Sequence, residues 1–573
     1  MSTEILAVIV IALLPIATSI PLGLYMARVF TGQRTFLDPV LVPVEKAVLK
    51  LAAIDAAEDM DWKRYSRALL LSNVCMWIVT FFVVSLQGVL PVNPDGIAGM
   101  EATLAFHTIS SFVTNTNLQH YSGETGLSYL SQMIAVTFLQ FVTAATGMAA
   151  LVAIIRALAG SGIEKLGNFY VDLTRAAARV LLPLAVVLAL VLVSQGTPMT
   201  FGGSARATTL EGAEQRIARG PVAAEVAIKQ LGTNGGGYFG PNSTHPYENP
   251  TPFSNLAETW AIACIPMAMV VTLGAMARRR RFALTVFLTM LALYVPLIVV
   301  AVYQELHGSP AIAAMGIDQP MGSMEGKEVR TGAGASALWA VTTTVTSNGS
   351  VDAMHDSLTP LAGLMPMIGM WLNNIFGGVG VGFINMLIYI IVTVFVAGMM
   401  VGRTPEFLGK KVEAYEMKLA SLALVLHPLL SLGGTAIACY AWASTADPGS
   451  ALAWLQNPGS HGFSEMLYEF SSASANNGSG FEGLGDNTPF WNISTGMVML
   501  VARYIPIIGP LALSASLGRK TAAPDTEGSL GVDTFTFGLT LWAVVVILGV
   551  LMFLPAAVLG PVAEHLSMVG TPR

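Results

Sequence analysis

Four short polar strings recur along the chain: SSFVTNTNLQ at 110–119, IKQLGTNGG at 228–236, TTTVTSNGS at 342–350 and SSASANNGS at 471–479. Aligned, each places a short polar residue (Asn115, Thr233, Ser347, Asn476), then Thr116, Asn234, Asn348 or Asn477. Glycine follows at Gly235, Gly349 and Gly478, and Asn117 stands there in the first copy. None of these side chains is a strong acid, base or nucleophile, so the chemistry open to them is coordination through oxygen. Glycine permits backbone angles that turn carbonyl oxygens inward. Four such bends around one axis would form rings of carbonyl oxygens that replace the hydration shell of a dehydrated monovalent cation. A single copy reads as an ordinary turn, because Asn, Gly and Ser mark turns everywhere. Four copies in register, about 115 to 130 residues apart, do not. Asn348 and Asn477 also match the glycosylation acceptor pattern, a match common by chance, and a glycan would not fit inside a pore.

Something must hold these bends at membrane depth. A helical stretch precedes each: Glu101–Ser111, Pro221–Leu231, Ser336–Thr346 and Glu465–Ala475. Each is too short to span a bilayer but suits a descending half-helix, whose C-terminal end carries partial negative charge that favours a nearby cation. Around them lie ten apolar segments near the ~20 residues that the hydrocarbon core requires: Ile5–Tyr25, Ala68–Leu90, Leu130–Ile155, Leu181–Ser194 (starting earlier, near Leu173), Asn255–Met276, Phe282–Tyr303, Ile375–Met400, Leu419–Ala443, Trp491–Leu513 and Phe535–Leu559. The polar strings fall between the second and third, fourth and fifth, sixth and seventh, and eighth and ninth. The expected class is an all-α integral membrane protein with four pseudo-fourfold helix–pore loop–helix repeats around a central ion filter. Its parts are a first helix and cytoplasmic linker over 1–66, pore repeats over 67–165, 166–281, 282–415 and 416–520, and a last helix with an outer C-terminus over 521–573.

Composition agrees. Of 573 residues, 54% are hydrophobic and 11% charged, against roughly 25% charged in soluble chains; mean hydropathy is +0.64. The net charge of −6 carries no basic stripe for nucleic acid. Cys75, Cys264 and Cys439 lie in apolar runs and read as small buried hydrophobes. The first apolar run has its basic residues after it, at Arg28 and Arg34, so it reads as a retained helix and not a secretory signal. Basic loops stay in the cytoplasm. Lys63 to Arg67, Arg156 with Lys165, Arg278 to Arg281, Arg403 to Lys411 and Arg519 with Lys520 share one side if both termini face outward. The long loop holding Arg216 and Arg219 dissents.

The strings resemble a known family. The four helix–loop–helix units are similar to the superfamily of potassium transporters that includes bacterial Trk and Ktr channels. Closer still are the potassium-binding A subunits of the bacterial Kdp potassium-transporting ATPase. SFVTNTN at 111–117, Gln119, YSGE at 121–124, GTNGGGYF at 232–239, TSNG at 346–349, GRTPE at 402–406, GKK at 409–411 and SANNG at 474–478 carry the resemblance. It implies a potassium filter on Asn115, Thr116, Asn117, Thr233, Asn234, Gly235, Ser347, Asn348, Gly349, Asn476, Asn477 and Gly478, with K+ as the transported ion. It also implies a partner P-type ATPase catalytic subunit, two small accessory subunits and a place in the bacterial inner membrane. The chain itself would bind no ATP and catalyse nothing: it has neither a DKTGT phosphorylation sequence nor a GxxxxGK[ST] loop. The alternative is a stand-alone potassium channel or symporter of the same superfamily, which the GRTPE and GTNGGG strings disfavour. At Asn117 the glycine pattern breaks, which puts exact ring symmetry in question.

Four further features stand out. The glycines Gly377, Gly378 and Gly380 at the start of the seventh segment suit either a broken helix that gates inward leak or close small-residue packing. Arg503, in the middle of the ninth, suits either a cavity below the filter or a snorkelling place at the membrane edge. His107 and His427 have no partner at ligand spacing and read as structural. The string ENPTP at 248–252 is expected to shape the return path after the second loop.

Overall fold

The computed structural model describes residues 2–444, 454–457, 459–522 and 531–569. The expected last part, 521–573, falls partly outside them. Ten helices among the described residues are long and apolar enough to cross a membrane: Glu4–Phe30, Trp62–Leu86, Tyr129–Ala159, Phe169–Gln195, Pro252–Met276, Arg280–Ala314, Val381–Met400, Ala414–Ser444, Pro489–Arg519 and Phe535–Val569. The fourth begins well before its apolar run because Asn168 caps it, its Oδ1 accepting the amides of Tyr170 and Val171. Thr251 and Thr488 cap the fifth and ninth in the same way, through the amides of Ser254 and Trp491.

The seventh differs from expectation. It starts at Val381, not Ile375, and the residues before it form a separate apolar helix, Pro360–Leu372. Asn373, in the left-handed region at φ 46°, ends that helix, so the element is discontinuous across 373–380.

Four short helices end at the polar strings: Ala102–Val113, Val222–Leu231, Ala333–Val345 and Ser460–Ala475. The fourth starts five residues earlier than expected, directly after Gly459 at φ 93°. In every unit the span after the polar string is the more buried one. The buried share of its apolar window is 83% against 22% for the preceding span in the first unit, 78% against 39% in the second, 78% against 56% in the third and 50% against 28% in the fourth. An inner helix that meets protein on most sides, flanked by an outer helix that shows its apolar face to lipid, produces this contrast.

The first span packs along the fifth. A Cβ on Gly23 would stand 2.6 Å from the Ala268 oxygen, so only glycine admits this approach. Trp260 Nε1 donates to Thr18 Oγ1 (2.8 Å) and Thr272 Oγ1 to the Gly23 oxygen (3.1 Å). Arg216 sits exposed in a small hairpin, Ala205–Thr208 with Glu214–Ile217. Of the cysteines only Cys264 is buried; Cys75 lies exposed on the second span and Cys439 is intermediate, so the expectation of three buried thiols is corrected.

Candidate ion-coordinating site

The four short helices end alike. At Asn115, Thr233, Ser347 and Asn476, φ is 59°, 47°, 49° and 51°; two residues on, at Asn117, Gly235, Gly349 and Gly478, it is 60°, 84°, 91° and 107°. A non-glycine residue seldom holds this region and a β-branched one least of all. Its recurrence at equivalent positions is therefore a shared backbone design. Asn117, the departure from the glycine pattern, takes the same conformation, which asparagine tolerates.

Between these two positions the amides turn back into the helices. The N–H groups of Thr116, Asn234, Asn348 and Asn477 donate to the carbonyls of Ser111 (3.0 Å), Lys229 (2.9 Å), Thr343 (2.8 Å) and Ser472 (2.9 Å), in each case five residues earlier. Among the described residues, the carbonyl oxygens of Thr116, Asn234, Asn348 and Asn477 accept from no donor. Buried carbonyls without donors are rare, and here the same position is left open four times.

The loops also close on one another. A Cβ on Gly235 would lie 2.0 Å from the Asn348 oxygen, one on Gly349 2.2 Å from the Asn477 oxygen, and one on Gly478 2.0 Å from the Thr116 oxygen. One on Gly236 would lie 2.8 Å from the Asn117 Cβ. The contacts run from the second loop to the third, the third to the fourth, the fourth to the first and the first to the second. An asparagine side chain bridges every junction. Asn115 Nδ2 donates to the Thr233 oxygen (2.9 Å), Asn348 Nδ2 to the Lys229 oxygen (3.0 Å), Asn477 Nδ2 to the Thr343 oxygen (2.9 Å) and Asn476 Nδ2 to Thr116 Oγ1 (2.9 Å). All twelve residues singled out in the sequence thus meet in one ring, and all but Gly478 are buried. Burial of Asn348 and Asn477 excludes the glycan reading.

Behind the second loop stands a polar brace. Asn242 Nδ2 donates to the Gly235 oxygen (2.6 Å), its Oδ1 accepts from Lys229 Nζ (2.7 Å), and Lys229 pairs with fully buried Glu248. Glu248 Oε1 also takes the Phe239 amide (2.8 Å). The ENPTP string therefore contributes an anion to this brace. A lysine in a short helix that must descend among apolar spans was its visible sign in the sequence.

Beneath the ring, Ser347, Asn373, Gly378, His427, Asn476 and Arg503 line a cavity of about 40 Å³, enough for a few waters or one ion. Arg503 is buried and has no ion-pair partner among the described residues. It therefore lies at the cavity and does not snorkel. The break at 373–380 passes under the ring: Gly377 N donates to the Val345 oxygen (3.1 Å) and Val379 N to Thr233 Oγ1 (2.8 Å).

His107 stacks on His120 with centroids 3.6 Å apart, and His427 Nδ1 meets Ser474 Oγ at 2.7 Å. His120, which sequence reasoning passed over, lies between Glu469 Oε1 (3.0 Å) and Asn492 Oδ1 (2.7 Å). It fastens the exit of the first loop to the fourth unit.

A family model described as "Potassium-transporting ATPase A subunit" matches residues 8–566. The chain belongs to that family. Within the potassium-transporting ATPase A subunit family, it is 51% identical over 573 residues to the potassium-transporting ATPase potassium-binding subunit of Flavobacterium johnsoniae, covering 99% of this chain and 100% of that one. It is also 51% identical over 569 residues to the subunit of the same name from Phocaeicola vulgatus, with the same coverage. In three dimensions it is similar to the potassium transporter TrkH from Vibrio parahaemolyticus, with a TM-score of 0.50 at 14% identity over 90% of this chain and 98% of that one. Membership in this subunit family and the ten spans make the chain a multi-pass membrane subunit of a transport complex.

Proposed function

We propose that this chain is the potassium-binding, selectivity-filter and translocating subunit of a high-affinity, ATP-driven K+ uptake complex. The observation that carries the proposal is the closed ring of four loops with amides turned away and donor-free carbonyls. Oxygen dipoles fixed at close quarters replace the water around a dehydrated K+, and four helix C-termini aimed at the ring add negative potential. The ion sites are Asn115 to Asn117, Thr233 to Gly235, Ser347 to Gly349 and Asn476 to Gly478. The pore repeats are the four helix–loop–helix units bounded at 67, 166, 282, 416 and 520.

Below the ring, the break at 373–380 acts as the gate to the cytoplasm, and the Arg503 guanidinium opposes cations leaving downward. K+ then passes to a partner P-type ATPase catalytic subunit, which performs the ATP chemistry; this chain performs none. Two small accessory subunits and membrane lipid complete the complex. The complex lies in the inner membrane with both termini of this chain outside, an orientation that the Lys/Arg-rich loops on the opposite side support. The names borne by its relatives support the ATPase reading over a stand-alone channel or symporter. The test is a K+ titration of the purified chain in competition with Na+ and ammonium, followed by ATP-dependent uptake with the ATPase subunit added. K+-selective binding by the chain and uptake only with the partner are expected. Binding without preference among the three cations, or flux without the partner, overturns the reading.

A further inference from the structure

Away from the ring, on the face where the short helices begin, four ionisable side chains from three parts of the chain converge. His461 lies in the first turn of the fourth short helix, and Glu465 one turn further on. Asp356 lies in the turn His355–Ser357 after the third polar string, and Glu564 in the closing segment Ala563–Val569. His461 Nε2 is 2.9 Å from Asp356 Oδ1 and 3.9 Å from Glu465 Oε1, and its Nδ1 is 2.8 Å from Glu564 Oε1. The donor atoms of Asp356, His461 and Glu465 lie within 4.8 Å of one another.

Two independent observations show that this is more than an ion-pair cluster. Glu465 is fully buried; its Oε1 accepts from Asn457 Nδ2 at 3.4 Å, but its Oε2 has no hydrogen-bond partner among the described residues, an arrangement that is costly for a buried carboxylate unless a cation offsets it. Gly483 keeps the space between the carboxylates clear: a Cβ there would lie 2.6 Å from Glu465 Oε1 and 2.7 Å from Asp356 Oδ2. A polar cavity of about 450 Å³, lined among others by Ser460, Thr359 and Ser567, leads to the same group.

We propose that Asp356, His461 and Glu465 bind a divalent transition-metal cation of the zinc class, with Glu564 orienting the imidazole. One imidazole nitrogen and two carboxylate oxygens are a three-ligand set that leaves a fourth position for water, which the cavity supplies. The nitrogen ligand favours such a cation over Ca2+ or Mg2+, which take oxygen ligands. On binding, the cation replaces the proton on His461 Nε2, which leaves to solvent. The Nδ1–H continues to donate to Glu564, the carboxylate–histidine–metal arrangement that fixes tautomer and ring orientation. The bound cation ties the end of the last helix to the fourth short helix and to the connection after the third loop. This proposal does not depend on what the ring binds.

The test uses the full-length chain in detergent, stripped of metal and titrated with Co2+ as a spectroscopic stand-in. One Co2+ per chain, with the intense visible bands of a four- or five-coordinate ion and full displacement by Zn2+, is expected. Glu465→Gln and Asp356→Asn should each weaken binding more than about 100-fold, and Glu564→Gln by about 10- to 100-fold. Helical melting by circular dichroism establishes that each variant is folded, and a given concentration of Zn2+ should raise the melting temperature of the parent most, that of Glu564→Gln less and those of Glu465→Gln and Asp356→Asn least. If Glu465→Gln does not fold, Asp356→Asn carries the decision. Absence of stoichiometric Co2+ binding in the parent, or parental affinity in a folded Glu465→Gln or Asp356→Asn chain, overturns the proposal.

Discussion

The main-chain N–H of Val379 donates to the Thr233 hydroxyl at 2.8 Å. One side chain thereby joins the ring to the loop beneath it, because Thr233 holds a left-handed backbone at φ 47° and directs its Oγ1 toward the break in the seventh element.

Thr233→Val keeps the β-branch and volume but removes that acceptor. A buried N–H left unpaired costs about 1–3 kcal/mol, so the loop should loosen. K+ flux through the reconstituted complex should change several-fold while K+ affinity changes less, and Thr233→Ser should restore flux. Equal effects on affinity and flux would place the role of Thr233 in the ring alone.

Gly235→Asp puts a Cβ where the Asn348 oxygen stands, 2.0 Å away, and adds a charge to the ring. The third loop must shift. Selectivity for K+ over Na+ and ammonium, read from competition binding, should fall by about tenfold or more, since a distorted oxygen ring no longer matches one ion. Unchanged selectivity would count against the ring as the ion site.

Arg503→Gln removes a positive charge, without an ion-pair partner among the described residues, from the wall of the cavity below the ring. A unit charge several ångströms from an ion contributes on the order of 1–4 kcal/mol in a partly aqueous space. Inward K+ leak should rise about tenfold with little change in affinity, and Arg503→Lys should stay near the parent. Isotope flux into vesicles measures both.

His120 supplies a pH dependence. Burial alone would lower its pKa, but the nearby charge of Asp486 and the bonds with Glu469 and Asn492 outweigh that and hold it at about 9. Because this is above the ordinary value of about 6.5, the stabilisation is complete below that pH and is lost as pH rises through about 9. The melting temperature should fall between about pH 7 and pH 10, and His120→Gln should flatten that fall. A parallel fall in the variant would assign the effect elsewhere.

Much of the architecture was legible in the chain because it is local. Ten apolar runs, their basic flanks and four interruptions by Asn, Gly, Thr and Ser are one-dimensional facts, and a bilayer turns run length directly into spans. The alignment of Asn115, Thr233, Ser347 and Asn476 was equally visible, since in each string a short polar residue is followed by Thr or Asn and then by Gly or Asn. Hydropathy misplaced the start of the seventh span because Ile375, Phe376 and Val379 are as apolar as the helix they precede, although they lie in the break.

What the sequence by itself determined was that four equivalent polar bends exist and where along the chain they fall. Only the tertiary structure decided that they touch, in what order, and which oxygens stay free. It also brought His461 to Asp356 and Glu564, about 100 residues away on either side. The reason is energetic. A left-handed threonine or serine costs roughly 1–2 kcal/mol by itself, and a buried carbonyl without a donor costs more. Such states persist only where contacts from distant segments over-determine them, and those contacts belong to the assembled fold.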